Sequence, residues 1–254
     1  MTKKPKTRTQ IIQEEEYSFP YHYIPEISEK GFTQVKHWSW GYRYLGGLRV
    51  VIDQLNKISF NSLLDVGCGD GRFLRELNQL YTGKKLVGLD YSDRGINFAK
   101  AFNPKLDYLC KNILEEKFEE KFDVITAVEV LEHIPKNELD TFIDRIIASL
   151  KPNSTFIFTV PHKNVPLQDK HFQHFTSDSL KELLSNKFSK ISFIPFDPNN
   201  RFFDNFLRII GGQGNYFIIT YKKLLTYYFN LYINKYLYSN KESICKRICV
   251  VCKT

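Results

Sequence analysis

The chain alternates short, mostly apolar runs with longer stretches in which apolar residues recur every three or four positions. Ser62–Val66, Lys85–Asp90, Leu106–Cys110, Phe122–Val128, Ser154–Val160 (closed by Pro161) and Lys190–Phe196 read as six strands. Between them lie helical patterns at Leu45–Lys57, Arg72–Leu80, Asp93–Phe102, Lys136–Leu150 and Ser177–Asn186. The fourth is the clearest, with Leu139, Phe142, Ile143, Ile146 and Ile147 on one face. Strand–helix alternation of this kind predicts an α/β fold with a parallel sheet covered on both faces. A ligand then sits at the carboxyl ends of the strands, near the switch point beside the first strand.

The first strand runs into Gly67-Cys68-Gly69-Asp70-Gly71 before the helix at Arg72. Glycines at alternating positions let the backbone turn sharply and come close to a ligand. The helix N-terminus beyond them points unpaired N–H groups at the same place. The second strand ends at Gly88-Leu89-Asp90, where an acidic side chain can accept both hydroxyls of a ribose; the competing use, a helix N-cap, is served equally well by Ser92 or Asp93.

The two ends of the chain are less regular. Residues 1–16 read as a charged arm. Tyr17 to Tyr44 is aromatic (Tyr17, Phe19, Tyr21, Tyr23, Phe32, Trp38, Trp40, Tyr42, Tyr44) and holds both tryptophans; it either lies over the glycine turn as a lid or packs outside the domain. Near the other end, Asn215–Tyr221 reads as a strand, or Tyr216–Tyr238 as one long or two short helices. The second reading is favoured, with Arg247–Lys253 as the last strand. The expected organisation is therefore an arm and aromatic lid over 1–44 and one domain over 45–254, with a helical, basic-aromatic insertion at 198–246.

Composition narrows the class. With 254 residues and 43% hydrophobic content the chain can bury a core. No apolar run approaches ~18 residues, so no spanning helix is expected, and the polar start has no apolar signal region. Five cysteines without framework spacing fit a reduced, cytoplasmic setting. Cys245, Cys249 and Cys252 suggest a metal cluster but have no fourth ligand nearby. From residue 198 onward nine Lys/Arg face two acidic residues, which accounts for +7 of the net +8. A basic, aromatic segment suits an anionic partner: a membrane surface, a phosphate-bearing substrate or nucleic acid.

Three stretches together resemble class I S-adenosylmethionine-dependent methyltransferases: Leu63-Leu64-Asp65-Val66-Gly67-Cys68-Gly69-Asp70-Gly71, then Val87-Gly88-Leu89-Asp90, then Phe122 through Pro135 with its Glu129-Val130-Leu131-Glu132-His133 core. Leu150-Lys151-Pro152-Asn153 is similar to the loop before that family's fifth strand. The resemblance covers about Ser62 to Val160. It implies a Rossmann-like, seven-stranded, mostly parallel sheet and an enzyme that converts S-adenosylmethionine to S-adenosylhomocysteine. It implies that Gly67, Cys68, Gly69 and Gly71, with Asp65 close by, hold the methionine end of the cofactor. Asp90 would hold the ribose and Tyr91 lie against the adenine. Asn112, beside Ile113, would meet the adenine amine, where the family usually has Asp; Asn offers an amide oxygen to the same amine. Glu129 would border the cofactor.

The acceptor is less constrained, since a sulfonium methyl is already activated and the enzyme need only align a nucleophile and remove a proton. Glu129, Glu132 and His133 follow strand four, and His171 and His174 follow strand five. Glu129, Glu132, His133 and His171 could bind a divalent metal, a pattern similar to metal-dependent 2′-O-methyltransferases of small-RNA 3′ ends and to ubiquinone-pathway O-methyltransferases. The preferred alternative makes His133 or His171, beside Glu132, the general base. His37-Trp38-Ser39-Trp40-Gly41-Tyr42-Arg43 resembles a segment of methyltransferases from bacterial glycan and lipid pathways. The sequence-level expectation is O-methylation of a sugar or lipid-linked glycan intermediate that carries phosphate, by a cytoplasmic protein touching the inner membrane face through its basic aromatic segment. A metal-dependent RNA 2′-O-methyltransferase and a non-catalytic S-adenosylmethionine-binding module are the alternatives.

Overall fold

A computed structural model of the chain describes residues 8–9, 11–12, 26–28, 31–33, 38–116, 118–201, 203–205 and 222–254. Tyr17, Phe19, Tyr21, Tyr23, His37 and the segment 215–221 lie outside them, and so does most of the expected lid. The strands β1 (Glu26–Ser28) and β2 (Gly31–Thr33) form a small antiparallel hairpin with Ile27 opposite Phe32.

The main sheet is built from β3 (Ser62–Val66), β4 (Lys85–Asp90), β5 (Asp107–Cys110), β6 (Phe122–Val128), β7 (Leu150–Pro161), β8 (Lys190–Pro198) and β9 (Cys245–Lys253). Its order is β5-β4-β3-β6-β7-β9-β8, with β9 antiparallel to both neighbours and every other pairing parallel. The seven-stranded, Rossmann-like expectation therefore holds. The order reverses at β3, which opens a crevice at the carboxyl ends of β3 and β6.

Period-two alternation divides the strands between two cores. Leu63, Val124, Ile157 and Cys249 face one side with α1 (Trp38–Leu55), α2 (Arg72–Leu80) and α3 (Asp93–Phe102). Leu64, Ile125, Phe156 and Val250 face the other with α4 (Leu139–Ala148) and α5 (Ser177–Leu184). The same alternation removes the cysteine cluster: Cys249 and Cys252, three residues apart on β9, are buried on opposite faces.

Several boundaries differ from the sequence reading. Helix α1 starts at Trp38, seven residues before Leu45, and Tyr42 is a fully buried core residue stacked on Phe229 at 5.5 Å rather than part of a loose lid. The glycines at 46 and 47 blur its apolar pattern; a Cβ on Gly46 would stand 2.8 Å from the Tyr232 ring, so close packing demands the gap. Helix α4 covers only Leu139–Ala148, preceded by a 3-10 turn at Lys136–Glu138. The chain then enters β7 at once, because Phe122 pairs with Leu150 before Pro152 and the left-handed Asn153 (φ 59°) bend the strand. In the C-terminal segment, α6 (Lys222–Leu231) runs into a wider helical turn at Tyr232–Tyr236. This agrees with the helical reading there, and β9 begins two residues before the expected strand.

Candidate active site

Every sequence-predicted site residue lies at the carboxyl end of a strand or in the segment that follows it. After β3 the loop takes left-handed conformations at Gly67 (φ 75°), Gly69 (φ 54°) and Gly71 (φ 77°). Space is as tight as the backbone: a Cβ on Gly71 would stand 2.5 Å from Tyr108 Oη. The amides of Gly67 and Cys68 donate to Leu89 O at 2.7 and 3.1 Å, pinning the loop to the end of β4. Asp90 braces it further, accepting from Gly69 N at 2.9 Å and from Ser92 N at 2.8 Å. Ser92 caps α3 by accepting from Gly95 N, so the N-cap role falls to Ser92 and leaves Asp90 at the crevice.

Beneath the loop, Asp65 is buried and accepts from Thr126 Oγ1 at 2.7 Å. Burial pushes its carboxyl up to about 7, with the Asp90 charge adding and the Thr126 hydroxyl opposing. Cys68 is buried, and burial beside these acids pushes its thiol well above the usual range, which makes it packing rather than a nucleophile. Tyr91 is half-exposed, and Ile113 is buried in the second core. Asn112 Oδ1 accepts from Leu114 N at 3.1 Å, which uses one of its two lone pairs locally. The loop thus gathers tightly turned backbone, the Asp90 carboxyl and the half-exposed Tyr91 at one end of the sheet.

Glu129 follows β6 in a left-handed conformation (φ 56°), its amide held by Thr159 O at 3.1 Å. It departs from the expected four-residue metal set. Its carboxylate lies 3.6 Å from Arg247 Nε, and only Glu132, His133 and His171 bring ligand atoms within 4.8 Å of one another among the described residues. Glu132 is 1% exposed, and its Oε2 has no hydrogen-bond partner. Burial first, and Glu129 second, push its carboxyl well above the ordinary carboxylate range.

The two imidazoles are held by their Nδ1 atoms. His133 Nδ1 donates to Lys170 O at 2.9 Å, and His171 Nδ1 lies 2.7 Å from His174 Nε2. The His133 and His171 rings meet edge to face at 4.8 Å. Burial, then the neighbouring His133, His174 and Lys170, lower His171 to about 3. Phe172 N donates to Glu132 O at 2.8 Å and locks the loop after β7 onto the turn after β6. The cluster therefore sets the His133 ring and the weakly basic His171 beside a carboxyl with high proton affinity.

Arg247 had no signal in the sequence: it stands 118 positions beyond Glu129 and reaches the site only because β9 runs antiparallel, opposite Pro161 at the end of β7. Burial works against its charge, but Glu129 and Asp197 hold the guanidinium charged.

Comparison with known proteins bears on this cradle. The chain is 34% identical over 124 residues to a protein named ubiquinone biosynthesis O-methyltransferase from Bradyrhizobium diazoefficiens, a match covering 47% of this chain and 42% of that relative. The chain thus spans less than half the length of the curated relatives it matches. A methyltransferase dependent on S-adenosylmethionine from Archaeoglobus fulgidus superposes with a TM-score of 0.58 at 16% identity, covering 84% of this chain and 94% of that one. The N-methyltransferase NodS from Bradyrhizobium japonicum, with S-adenosyl-L-homocysteine bound, superposes at 0.56 with 13% identity, covering 84% and 87%. At these identities the two structures speak for the fold alone. The methyltransferase-domain family pattern matches residues 40–193, a span that contains the glycine loop, Asp90 and the whole histidine cluster, and the chain belongs to that methyltransferase-domain family.

Proposed function

We propose that the chain transfers the methyl group of S-adenosylmethionine to a hydroxyl oxygen of a small-molecule or glycan acceptor, with Glu132, His133 and His171 on the acceptor side. One observation carries the reading. A backbone carbonyl can only accept, so the Lys170 contact places a proton on His133 Nδ1, in a ring that clusters with His171 and the buried Glu132. In the transfer an acceptor oxygen forms the O–CH3 bond as the S–CH3 bond breaks, and the hydroxyl proton leaves. Glu132, whose proton affinity is raised by burial, is the group suited to receive it. The cradle residues Asp65, Gly67, Gly69, Gly71, Asp90, Tyr91 and Asn112 hold the cofactor in this reading. Relatives named as O-methyltransferases support oxygen as the accepting atom. The basic, aromatic composition beyond residue 198 supports a sugar or lipid-linked glycan acceptor bearing phosphate. No described helix is long and apolar enough to cross a membrane.

The same cluster supports a second reading, in which a divalent cation sits on Glu132, His133 and His171. The donor set fits: two imidazoles anchored through Nδ1, and a buried carboxyl oxygen with no partner. A cation there would polarise the acceptor hydroxyl as a Lewis acid. Glu129 would stay with Arg247.

Labelled methyl transfer from S-adenosylmethionine into fractions of a source-organism extract, with and without chelator, tests both readings. Label in a glycan, lipid or small-molecule fraction is the expected result, and its loss on chelation selects the cation reading. Label confined to RNA overturns the acceptor class. Cofactor binding with no label in any fraction overturns the enzyme reading in favour of a binding module.

A further inference from the structure

His174 is nearly buried, and its ring meets that of His171 at 5.0 Å and 60°. Its Nδ1 lies 3.1 Å from Val165 O, which can only accept, so Nδ1 carries a proton. Burial disfavours a second proton on this ring, with His162 adding to the effect and the Val165 carbonyl and Glu129 opposing it. Its Nε2 is then an acceptor, and the 2.7 Å contact requires His171 Nδ1 to be the donor. The proton of His171 is thereby fixed on Nδ1, and Nε2 is left as the nitrogen able to take a proton or bind a cation. An isolated imidazole favours the opposite tautomer, so something must enforce this one.

We propose that His174 is a positioning residue that sets the tautomer of His171 through a directed chain running from Val165 O through His174 to His171. This rests on the reading of Glu132, His133 and His171 as the acceptor-side cluster. The chain has a rigid base. Val165 N donates to His162 O, Lys163 N to Phe175 O and Phe175 N to Pro161 O, so the loop carrying both histidines is braced by its own backbone. His133 reaches the same tautomer by a shorter route, directly from Lys170 O. The two rings thus present matching nitrogens by different means, and only one of these means is a side chain that mutation can remove. His174 also lines a cavity of about 900 Å3 with Val165, Phe172 and Phe175, which gives a substituted side chain room without overpacking.

The test uses the whole chain labelled with 15N-histidine, in chelator at neutral pH, read by the ring-nitrogen resonances. Wild-type His171 is expected to show a protonated Nδ1 and an unprotonated Nε2; the reverse pattern overturns the proposal without any variant. His174→Leu removes the acceptor and is expected to move the His171 proton to Nε2 and to lower kcat about tenfold or more, with the KM for S-adenosylmethionine unchanged, the scale of an outer-shell substitution. His174→Asn, whose amide oxygen can still accept, is expected to keep the Nδ1 tautomer and recover most of the lost rate. An unchanged tautomer in the Leu variant, or equal impairment in Leu and Asn, overturns the proposal. The tautomer is read without turnover, so failure of the O-methyl acceptor assignment is seen separately, as absence of product from a protein with the expected resonances.

Discussion

Asp65→Asn should flatten part of the pH dependence of folding, because Asp65 is the buried carboxyl whose ionisation the fold resists most measurably. It sits under the glycine loop, 2% exposed, and its pKa is pushed up to about 7, chiefly by burial. In the unfolded chain it titrates near ~3.9. A folded pKa raised above the unfolded one contributes stability that is fully present below the unfolded value and is lost as pH rises through the folded value. The difference is about three units, each worth about 1.4 kcal/mol, so the wild type should lose about 4 kcal/mol relative to Asp65→Asn between about pH 4 and pH 7. Asparagine keeps the acceptor for Thr126 Oγ1, so its own cost is a constant offset. The comparison must be a difference between the two proteins. His171, lowered to about 3, works the other way, since its unfolded form takes up a proton below about pH 6.5 while the folded form resists it. Urea unfolding of both proteins across this range, without cofactor, gives the gap directly. Parallel stability curves, with a gap independent of pH, would refute the argument that burial governs Asp65.

Other expectations follow from single contacts. Gly71→Ala should cost about 2–4 kcal/mol, combining a left-handed backbone with a 2.5 Å approach to Tyr108 Oη, whereas Gly83→Ala, equally left-handed but with nothing within 4 Å, should cost only about 1–2 kcal/mol; equal losses in denaturant melts would sink the packing argument. Glu132→Gln should lower methyl transfer about a hundredfold while calorimetry shows S-adenosylmethionine binding unchanged, the range of general-base catalysis; turnover within a few-fold of wild type removes Glu132 from the reaction. Arg247→Met should destabilise by about 1–2 kcal/mol, a figure reduced because Glu129 and Arg247 keep 30% and 24% of their side-chain surface in solvent. Glu129→Gln in the same chain should recover part of that loss, and a double-mutant cycle with no coupling would show that the pair does not interact.

The fold was legible wherever one element supplied its own signal. The strand Phe122–Val128 and the helix Asp93–Phe102 match their predicted limits because apolar runs and a capping serine mark both ends. The glycine loop was legible for a related reason: Gly67 to Gly71 and Asp90 lie within short stretches on neighbouring strands, and the turn itself demands glycine. The start of α1 was hidden because Gly46 and Gly47, which lower helix propensity, are explained only by Tyr232 and Arg247, nearly two hundred residues away.

The Glu–His cluster beyond β6 and β7 was legible in its residue types and illegible in its wiring. Glu129, Glu132, His133 and His171 all stand out as chemistry-bearing residues, yet three bring ligand atoms together while Glu129, still close enough to act on Glu132, pairs with Arg247. What separates them is the left-handed backbone at Glu129 and the arrival of Arg247 on an antiparallel strand, and neither leaves a mark near Glu129 in the sequence. The protonation pattern is further removed still. It depends on Lys170 O and Val165 O, backbone carbonyls that any residue would supply, so no side-chain pattern can encode it. Sequence names the groups available for methyl transfer, whereas the direction in which each imidazole presents its lone pair is a property of the folded loops between Pro161 and Thr176.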